Sequence, residues 1–271
     1  MNHYWKISLL FIIFIMLVVY LDRIYKKPDL YLKINFVDHI VWINLDRSHK
    51  RKKEMLKKLE PINIPNTRIQ AVDGRNQEMI KKFKKGLIYS ISDIEFSCLL
   101  SHIKAISFCE NLPGEYFLIV EDDVSFKKNL AFFRISLKDI IKNAPPFEIL
   151  MIYKNLLRPL PYLYTDWNQE YEKGWHISGC VAYIITKKGV KTILRNVRYE
   201  KQKDSFTFYN KSINLADLFL FQNSQTIIYR YNFFSVEVKE STIHTDHLPI
   251  QTQCVNFQDQ EIKKNLLNLK I

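Results

Sequence analysis

The chain has 271 residues, 47% of them hydrophobic, and a formal net charge of +12. This length and apolar content allow one domain with a sizeable core and exclude general disorder, while 6 glycines and 9 prolines exclude collagenous or low-complexity character. The 4 cysteines are widely spaced without a C-x-x-C pair, which disfavours a zinc ribbon or a thioredoxin-like centre.

The amino-terminal segment, residues 4–21, is predicted to be a membrane anchor. It is uncharged after Lys6 and would form a helix about 27 Å long, enough for a thin bilayer core. A cleaved signal peptide is the alternative, but the run ends without a small-x-small cleavage site. The sequence therefore predicts a single-pass membrane protein. The basic residues that follow favour a cytoplasmic domain only weakly and leave a lumenal one open.

The rest of the chain is predicted to comprise a linker at 22–37, one globular domain at 38–250 and a tail at 251–271 whose end forms a short amphipathic helix. Within the domain, apolar runs predict strands at 39–45, 67–72, 116–120, 147–153 and 179–186. Helical spacing predicts helices at 50–59, 94–110, 130–141, 187–196 and 213–221. This alternation is typical of an α/β fold with a parallel sheet.

Residues 156–175 are rich in aromatic residues and proline and have little periodicity. Long irregular stretches in compact domains are often binding loops, so this one is predicted to be a lid or an acceptor-binding surface. An inert surface loop is the alternative.

Basic residues are concentrated in two runs, at 47–58 and 81–85. Such runs attract nucleic acid, anionic lipid or a sugar-nucleotide pyrophosphate, or they form a solvated helix face. No zinc-finger spacing or nucleic-acid-binding motif accompanies them, so nucleic acid is not a predicted partner.

Three acidic residues, Glu121, Asp122 and Asp123, follow the apolar strand in the stretch LIVEDDVSF. Ligands in open α/β sheets bind at the carboxyl ends of strands. Adjacent carboxylates repel one another unless they face solvent or share a hard cation. The pattern predicts a metal site, with a solvated turn as the alternative.

The triplet resembles the D-x-D element of GT-A glycosyltransferases, and its context resembles glycosyltransferase family 25, the lipooligosaccharide and collagen galactosyltransferase-like family. The similar blocks occur in the order VWINLDRSHKR, RIQAVDGR, EFSCLLSHIKAI and FLIVEDDV, followed by Gly179, Ala182, Tyr183, Asp217, Ser241 and Ile243. The resemblance covers residues 39 to about 245. It implies a GT-A-like nucleotide-diphospho-sugar transferase domain, a UDP-sugar donor, Mn²⁺ or Mg²⁺, and inversion at the anomeric carbon. Residues 156–175 have no clear counterpart in the family.

On this basis Glu121 and Asp123, two positions apart, are the predicted metal ligands, and Asp122 is predicted to contact ribose or a water molecule near the metal. The late residues His244 and His247 are further candidates for the metal or pyrophosphate. The predicted donor-binding residues are Asn44, Asp46, Arg47 and Asp73, near strand ends, together with Glu95 and His102, which share a helix face. Arg47 and Arg51 as plain surface charges, and His102 as part of a buried polar network, remain alternatives.

An inverting transfer needs a base that takes the proton of the acceptor hydroxyl. Asp217, a lone acid among apolar residues, is the candidate, with a purely local role at a helix start as the alternative. The predicted function is transfer of a hexose, galactose or glucose, from a UDP-sugar to a glycan or protein hydroxyl. A catalytically inactive glycan- or partner-binding protein with the same fold is the alternative, and the motif order does not support a metal-dependent nuclease.

Overall fold

A mixed seven-stranded sheet organises the part of the chain that the structure, a computed structural model, describes: residues 15–17, 33–126, 129–130, 132–133, 135–175, 177–237 and 248–266. The strands are β1 (His39–Asn44), β2 (Asn66–Gln70), β3 (Ile88–Tyr89), β4 (Tyr116–Glu121), β5 (Val124–Ser125), β6 (Ile149–Met151), β7 (Tyr164–Asp166), β8 (Ala182–Thr186), β9 (Val197–Glu200), β10 (Ser205–Phe208), β11 (Ser212–Ile213), β12 (Thr226–Tyr229) and β13 (Ser235–Val236). The helices are α1 (His49–Leu59), α2 (Gln77–Lys84), α3 (Asp93–Glu110), α4 (Leu137–Asn143), α5 (Trp167–Glu172), α6 (Lys187–Leu194), α7 (Ala216–Gln222) and α8 (Leu248–Leu266).

The strand order in the main sheet is β2-β1-β4-β8-β6-β12-β7. β1 pairs in parallel with β2 and β4, and β12 pairs in parallel with β6. β8 runs antiparallel between β4 and β6, and β7 runs antiparallel at the edge beside β12. The predicted α/β fold is therefore confirmed, but the sheet is mostly rather than wholly parallel.

Side-chain alternation along the central strands places a core on each face of the sheet. Phe117 and Ile119 of β4 face the cluster formed with α3, whereas Leu118 and Val120 face the cluster on the other side. β4 is buried on both faces, as a central strand of an α/β sheet is expected to be, which explains its unbroken apolar sequence.

The stretch 156–175 is more ordered than predicted, since it contains β7 and α5. Trp167 is 1% exposed, donates its indole N–H to the Ile177 carbonyl at 2.9 Å and stacks on Tyr171. Trp167 and Tyr171 thus form part of a packed unit, whereas Tyr162 and Trp175 of the same stretch are exposed. Its ends are tied together, because the Asn155 N–H donates to the Ser178 carbonyl at 2.8 Å.

Several helix boundaries also differ from prediction, and the starts of α4 and α8 differ most. α4 begins at Leu137, where Ser136 and Asp139 form a capping box, rather than near residue 130. α8 begins at Leu248 rather than at 261, so it starts inside the range predicted for the globular domain.

The prediction of a single-pass membrane protein is wrong for the part of the chain that the structure describes. A bilayer span needs about 20 apolar residues in one helix, and within the described ranges no helix has the required length and hydropathy. Of the predicted anchor at 4–21, only residues 15–17 lie within those ranges.

Candidate active site

A cavity of about 360 Å³ lies at the carboxyl ends of β1 and β4. Its walls come from the ends of these strands, the loop after β2, the first turns of α3 and α7, the segment before β8, and the start of α8. The predicted site residues that line it are Asn44, Arg47, Asp73, Glu95, His102, Glu121, Asp122, Asp123 and Asp217. The fold thus brings residues that are more than one hundred positions apart in the sequence into one site.

Two of the predicted residues are not placed there. Asp46 is not among the lining residues, and its half-exposed side chain pairs with Arg68 instead. His244 lies outside the described residues, as does His247, so their predicted roles stay predictions.

Asp122 is held by two protein partners. The Asn44 amide donates to one carboxylate oxygen at 2.6 Å, and the Arg51 guanidinium donates to the other at 3.0 Å. Arg68, which the sequence did not single out, in turn donates to the Asn44 side-chain oxygen at 2.8 Å. Burial raises the pKa of Asp122, opposed by the contacts with Asn44 and Arg51. Arg51 is therefore part of the site rather than a plain surface charge.

Asp123 has different surroundings. Its Oδ1 atom is buried and has no hydrogen-bond partner within the described residues. Burial, together with the neighbouring charges of Glu121 and Asp122, raises the pKa of Asp123 to about 8. A buried carboxylate oxygen that no protein donor satisfies is a suitable ligand for a hard cation, so this residue fits the predicted Mn²⁺ or Mg²⁺. β4 ends at Glu121, so strand alternation does not extend to Asp123.

Glu121 belongs to a buried network centred on His102. His102 Nε2 lies 3.4 Å from the Glu121 carboxylate, and its Nδ1 lies 3.1 Å from the Tyr183 hydroxyl. Cys180 donates to the same Glu121 oxygen at 3.6 Å. Burial lowers the pKa of His102, but its contacts with Cys98 and Glu121 outweigh that effect and raise it. This geometry agrees with the alternative interpretation, in which His102 belongs to a buried polar network.

The loop after β2 packs closely against the start of α3. A Cβ atom on Gly74 would lie 2.7 Å from Ser97 Oγ and 2.8 Å from Ile94 Cα, so only glycine fits there. The adjacent Asp73 accepts from the Arg47 guanidinium at 2.8 Å. Burial acts to raise the pKa of Asp73, but bonds from Arg47 and the Arg75 amide outweigh it and lower it. This ion pair brings a fixed carboxylate and a guanidinium to the cavity wall.

Glu95 lines the cavity but also stabilises α3. The N-cap of this helix is Ser92, and Ser92 and Glu95 form a reciprocal capping box. The Glu95 carboxylate accepts from the Ser92 N–H at 2.7 Å. Its position in the sequence motif therefore has a structural explanation.

Asp217 lies in the first turn of α7 and accepts from the Gly179 N–H at 2.8 Å. Gly179 has φ of +118°, and a Cβ there would lie 3.1 Å from the Tyr153 ring. Both features restrict the position to glycine. The contact fixes the carboxylate against the segment before β8, within the cavity wall.

Comparison with known proteins assigns this chain to a family. A family model described as "Glycosyltransferase family 25 (LPS biosynthesis protein)" matches residues 37–207, which is more than half of the chain. The chain belongs to glycosyltransferase family 25. The matched region contains β1, α3, β4 and β8. Of the elements that form the cavity wall, only α7 and α8 lie outside it.

Individual relatives in the family are distant. The chain is 24% identical over 173 residues to a "Glycosyltransferase 25 family member" of Anopheles gambiae, an alignment that covers 59% of this chain and 29% of that protein. It is 27% identical over 186 residues to a "Putative glycosyltransferase" of Haemophilus influenzae, covering 64% of each. The chain thus spans less than two thirds of the length of these relatives.

Proposed function

We propose that this family 25 chain transfers a hexose, galactose or glucose, from a UDP-sugar to a hydroxyl group of a glycan or protein. The observation that carries the proposal is the single cavity in which the unsatisfied Asp123 oxygen, the guanidinium groups of Arg47 and Arg51, and the carboxylate of Asp217 come together. We also infer that the domain is of the GT-A type, because a mostly parallel sheet presents the acidic triplet at the end of a central strand.

The donor would bind at the strand ends. Asn44 ends β1 and Asp73 lies in the loop after β2, where the nucleoside would bind, and Arg47 and Arg51 would bring positive charge for the diphosphate. Asp123, with Glu121 beside it, would hold Mn²⁺ or Mg²⁺, which as a Lewis acid stabilises the charge that develops on the leaving diphosphate.

Asp217 is proposed as the base. In a single displacement the acceptor oxygen bonds to the anomeric carbon, the bond from that carbon to the diphosphate oxygen breaks, and Asp217 takes the hydroxyl proton. The configuration of the anomeric carbon is inverted. An α-linked UDP-hexose would therefore give a β-linked product.

The test is release of UDP by the purified full chain from UDP-galactose and UDP-glucose in the presence of Mn²⁺. Asp123→Asn is expected to lower the rate by about 100-fold or more, a loss typical of removing one group that stabilises transition-state charge. Glu200→Gln, a carboxylate-to-amide change outside the cavity, serves as the control and should leave the rate unchanged.

Calorimetry with UDP and Mn²⁺ separates an enzyme from an inactive binding protein of the same fold. Metal-dependent UDP binding and UDP release together would support the proposal. Activity that persists at the wild-type level in Asp123→Asn, or the absence of any metal-dependent UDP affinity, would refute it. The anomeric configuration of the product, measured by NMR, tests inversion separately.

A further inference from the structure

Four metal-binding side chains converge beside the acidic strand end. Cys98 and His102 lie on α3, Glu121 ends β4, and Cys180 belongs to the segment before β8. One donor atom from each of them lies within 4.8 Å of all the others. Cys98 and His102 are four residues apart, so they share one face of the helix. Residues from three separate segments are thus brought to one point.

Two of the six separations between these donor atoms match the edges of a tetrahedral zinc site, and all six are within 4.8 Å. Zinc binds imidazole nitrogen, carboxylate oxygen and thiolate sulfur at about 2.0, 2.1 and 2.3 Å, so the edges of a tetrahedron are about 3.4 Å for N to O and about 3.6 Å for S to O. The structure has 3.4 Å between His102 Nε2 and Glu121 Oε1, and 3.6 Å between Cys180 Sγ and the same oxygen.

The surroundings of His102 also suit a metal ligand. Its second ring nitrogen lies 3.1 Å from the Tyr183 hydroxyl, and both side chains are buried, which fixes the orientation of the ring. Histidine ligands usually have such a partner on the nitrogen that does not bind the metal. All four candidate ligands line the cavity, which provides a route of entry.

We propose that Cys98, His102, Glu121 and Cys180 bind one Zn²⁺ ion as a closed, four-ligand structural site. Two thiolates and an imidazole favour zinc over Mg²⁺ or Mn²⁺, which prefer oxygen ligands such as the Asp123 carboxylate. The ion would cross-link α3, the end of β4 and the start of β8, and so fix the wall of the cavity. Only Oε1 of Glu121 takes part, and the proposal does not depend on sugar transfer.

The experiment measures metal bound to the full chain purified without chelators. Elemental analysis is expected to find about one zinc per chain, as a four-ligand structural site requires. Exchange for Co²⁺ should give a thiolate-to-cobalt charge-transfer band with the visible absorption of a tetrahedral site. Cys180→Ser and His102→Gln should lower the zinc content at least several-fold. Cys254→Ser, which changes a thiol that lines the cavity outside the cluster, should retain it.

Two results would overturn the proposal. One is a folded wild-type chain that contains no zinc and gives no charge-transfer band with Co²⁺, including a chain that has formed a disulfide between Cys98 and Cys180. The other is zinc retained in full after Cys98→Ser and Cys180→Ser are combined. The cobalt titration of the wild type decides the question even if a variant fails to fold. The zinc measurements and the UDP-release assay in Mn²⁺ test different proposals, so a chain without zinc would not by itself contradict the proposed function.

Discussion

Asp122 and Asp123 are adjacent in the chain but have different partners. Both oxygens of Asp122 are occupied by Asn44 and Arg51, whereas Asp123 Oδ1 has no partner among the described residues. The sequence predicted different roles for Asp122 and for the metal ligands, but it could not show which side chains surround each carboxylate. The reason is tertiary, because Asn44 and Arg51 are distant in sequence and meet Asp122 only through the pairing of β1 with β4.

Asp217→Asn tests the proposed base. The amide retains an oxygen that can accept from the Gly179 N–H, so the fold and UDP affinity should be preserved. Without a proton acceptor, the kcat for sugar transfer is expected to fall by about 10²- to 10⁴-fold. Steady-state kinetics and UDP calorimetry measure both quantities. An equal loss of UDP affinity would instead indicate the local, structural role.

Cys98 and Cys180 were not predicted as a joint site from the sequence. The spacing of Cys98 and His102 on one helix is a signal for two ligands, but Cys180 is far along the chain. Its approach depends on β8 running antiparallel to β4, and a pattern of strand and helix predicts a strand without its direction. The missing information is topological rather than chemical.

At the scale of elements, the contact between the loop after β2 and α3 depends on the absence of a side chain at Gly74. Gly74→Ala would place Cβ 2.8 Å from Ile94 Cα and 2.9 Å from the Asp93 carbonyl, and helix backbone cannot move aside at low cost. The expected effect is destabilisation by about 1–3 kcal/mol together with weaker UDP binding, because Asp73 would be displaced.

Gly86→Ala is the matched control for that prediction. Gly86 has φ of +80° and open space around its Cβ position, so alanine there introduces backbone strain without a clash. It should lower the free energy of unfolding but leave UDP affinity intact. Urea denaturation and calorimetry compare the two variants, and equal UDP affinities would show that Asp73 does not depend on the close packing at Gly74.

Most central elements were predictable because burial on both faces leaves an unbroken apolar run, as in β4, and because α3 repeats apolar residues at helical spacing. The start of α3 was predicted one residue late, at 94 rather than at Asp93, because serine and aspartate both cap helices. α5 and β7 were missed because their order depends on the Trp167 side chain packing against the distant Phe221, a contact that no local pattern encodes.

At the scale of the whole molecule, Lys154 joins three distant parts of the chain. Its buried amino group donates to the Arg230 carbonyl at 2.5 Å, to the Asn232 side chain at 3.2 Å and to Gln258 of α8 at 3.2 Å. Lys154→Met leaves these buried acceptors without their donor. The free energy of unfolding is expected to fall by about 1–3 kcal/mol or more, as urea denaturation would show.

The same lysine predicts how stability changes with pH. Burial lowers the pKa of Lys154 from 10.5 to about 7, so between these values the unfolded chain binds more protons than the folded one. Stability contributed by the lysine therefore rises with pH. The difference in unfolding free energy between wild type and Lys154→Met should be larger at about pH 9 than at about pH 7. If this difference were smaller at about pH 9 than at about pH 7, the folded state would hold Lys154 protonated, contrary to the prediction.

The hydrogen bond between Asn155 and Ser178 closes residues 156–177 into an excursion with a fixed neck. The excursion contributes one edge strand, β7, so the five pairings that join the six strands from β2 to β12 do not involve it. Both neck residues line the cavity. A replacement segment that again covers the core as Trp167 does would therefore change the surface beside the site without changing those five pairings.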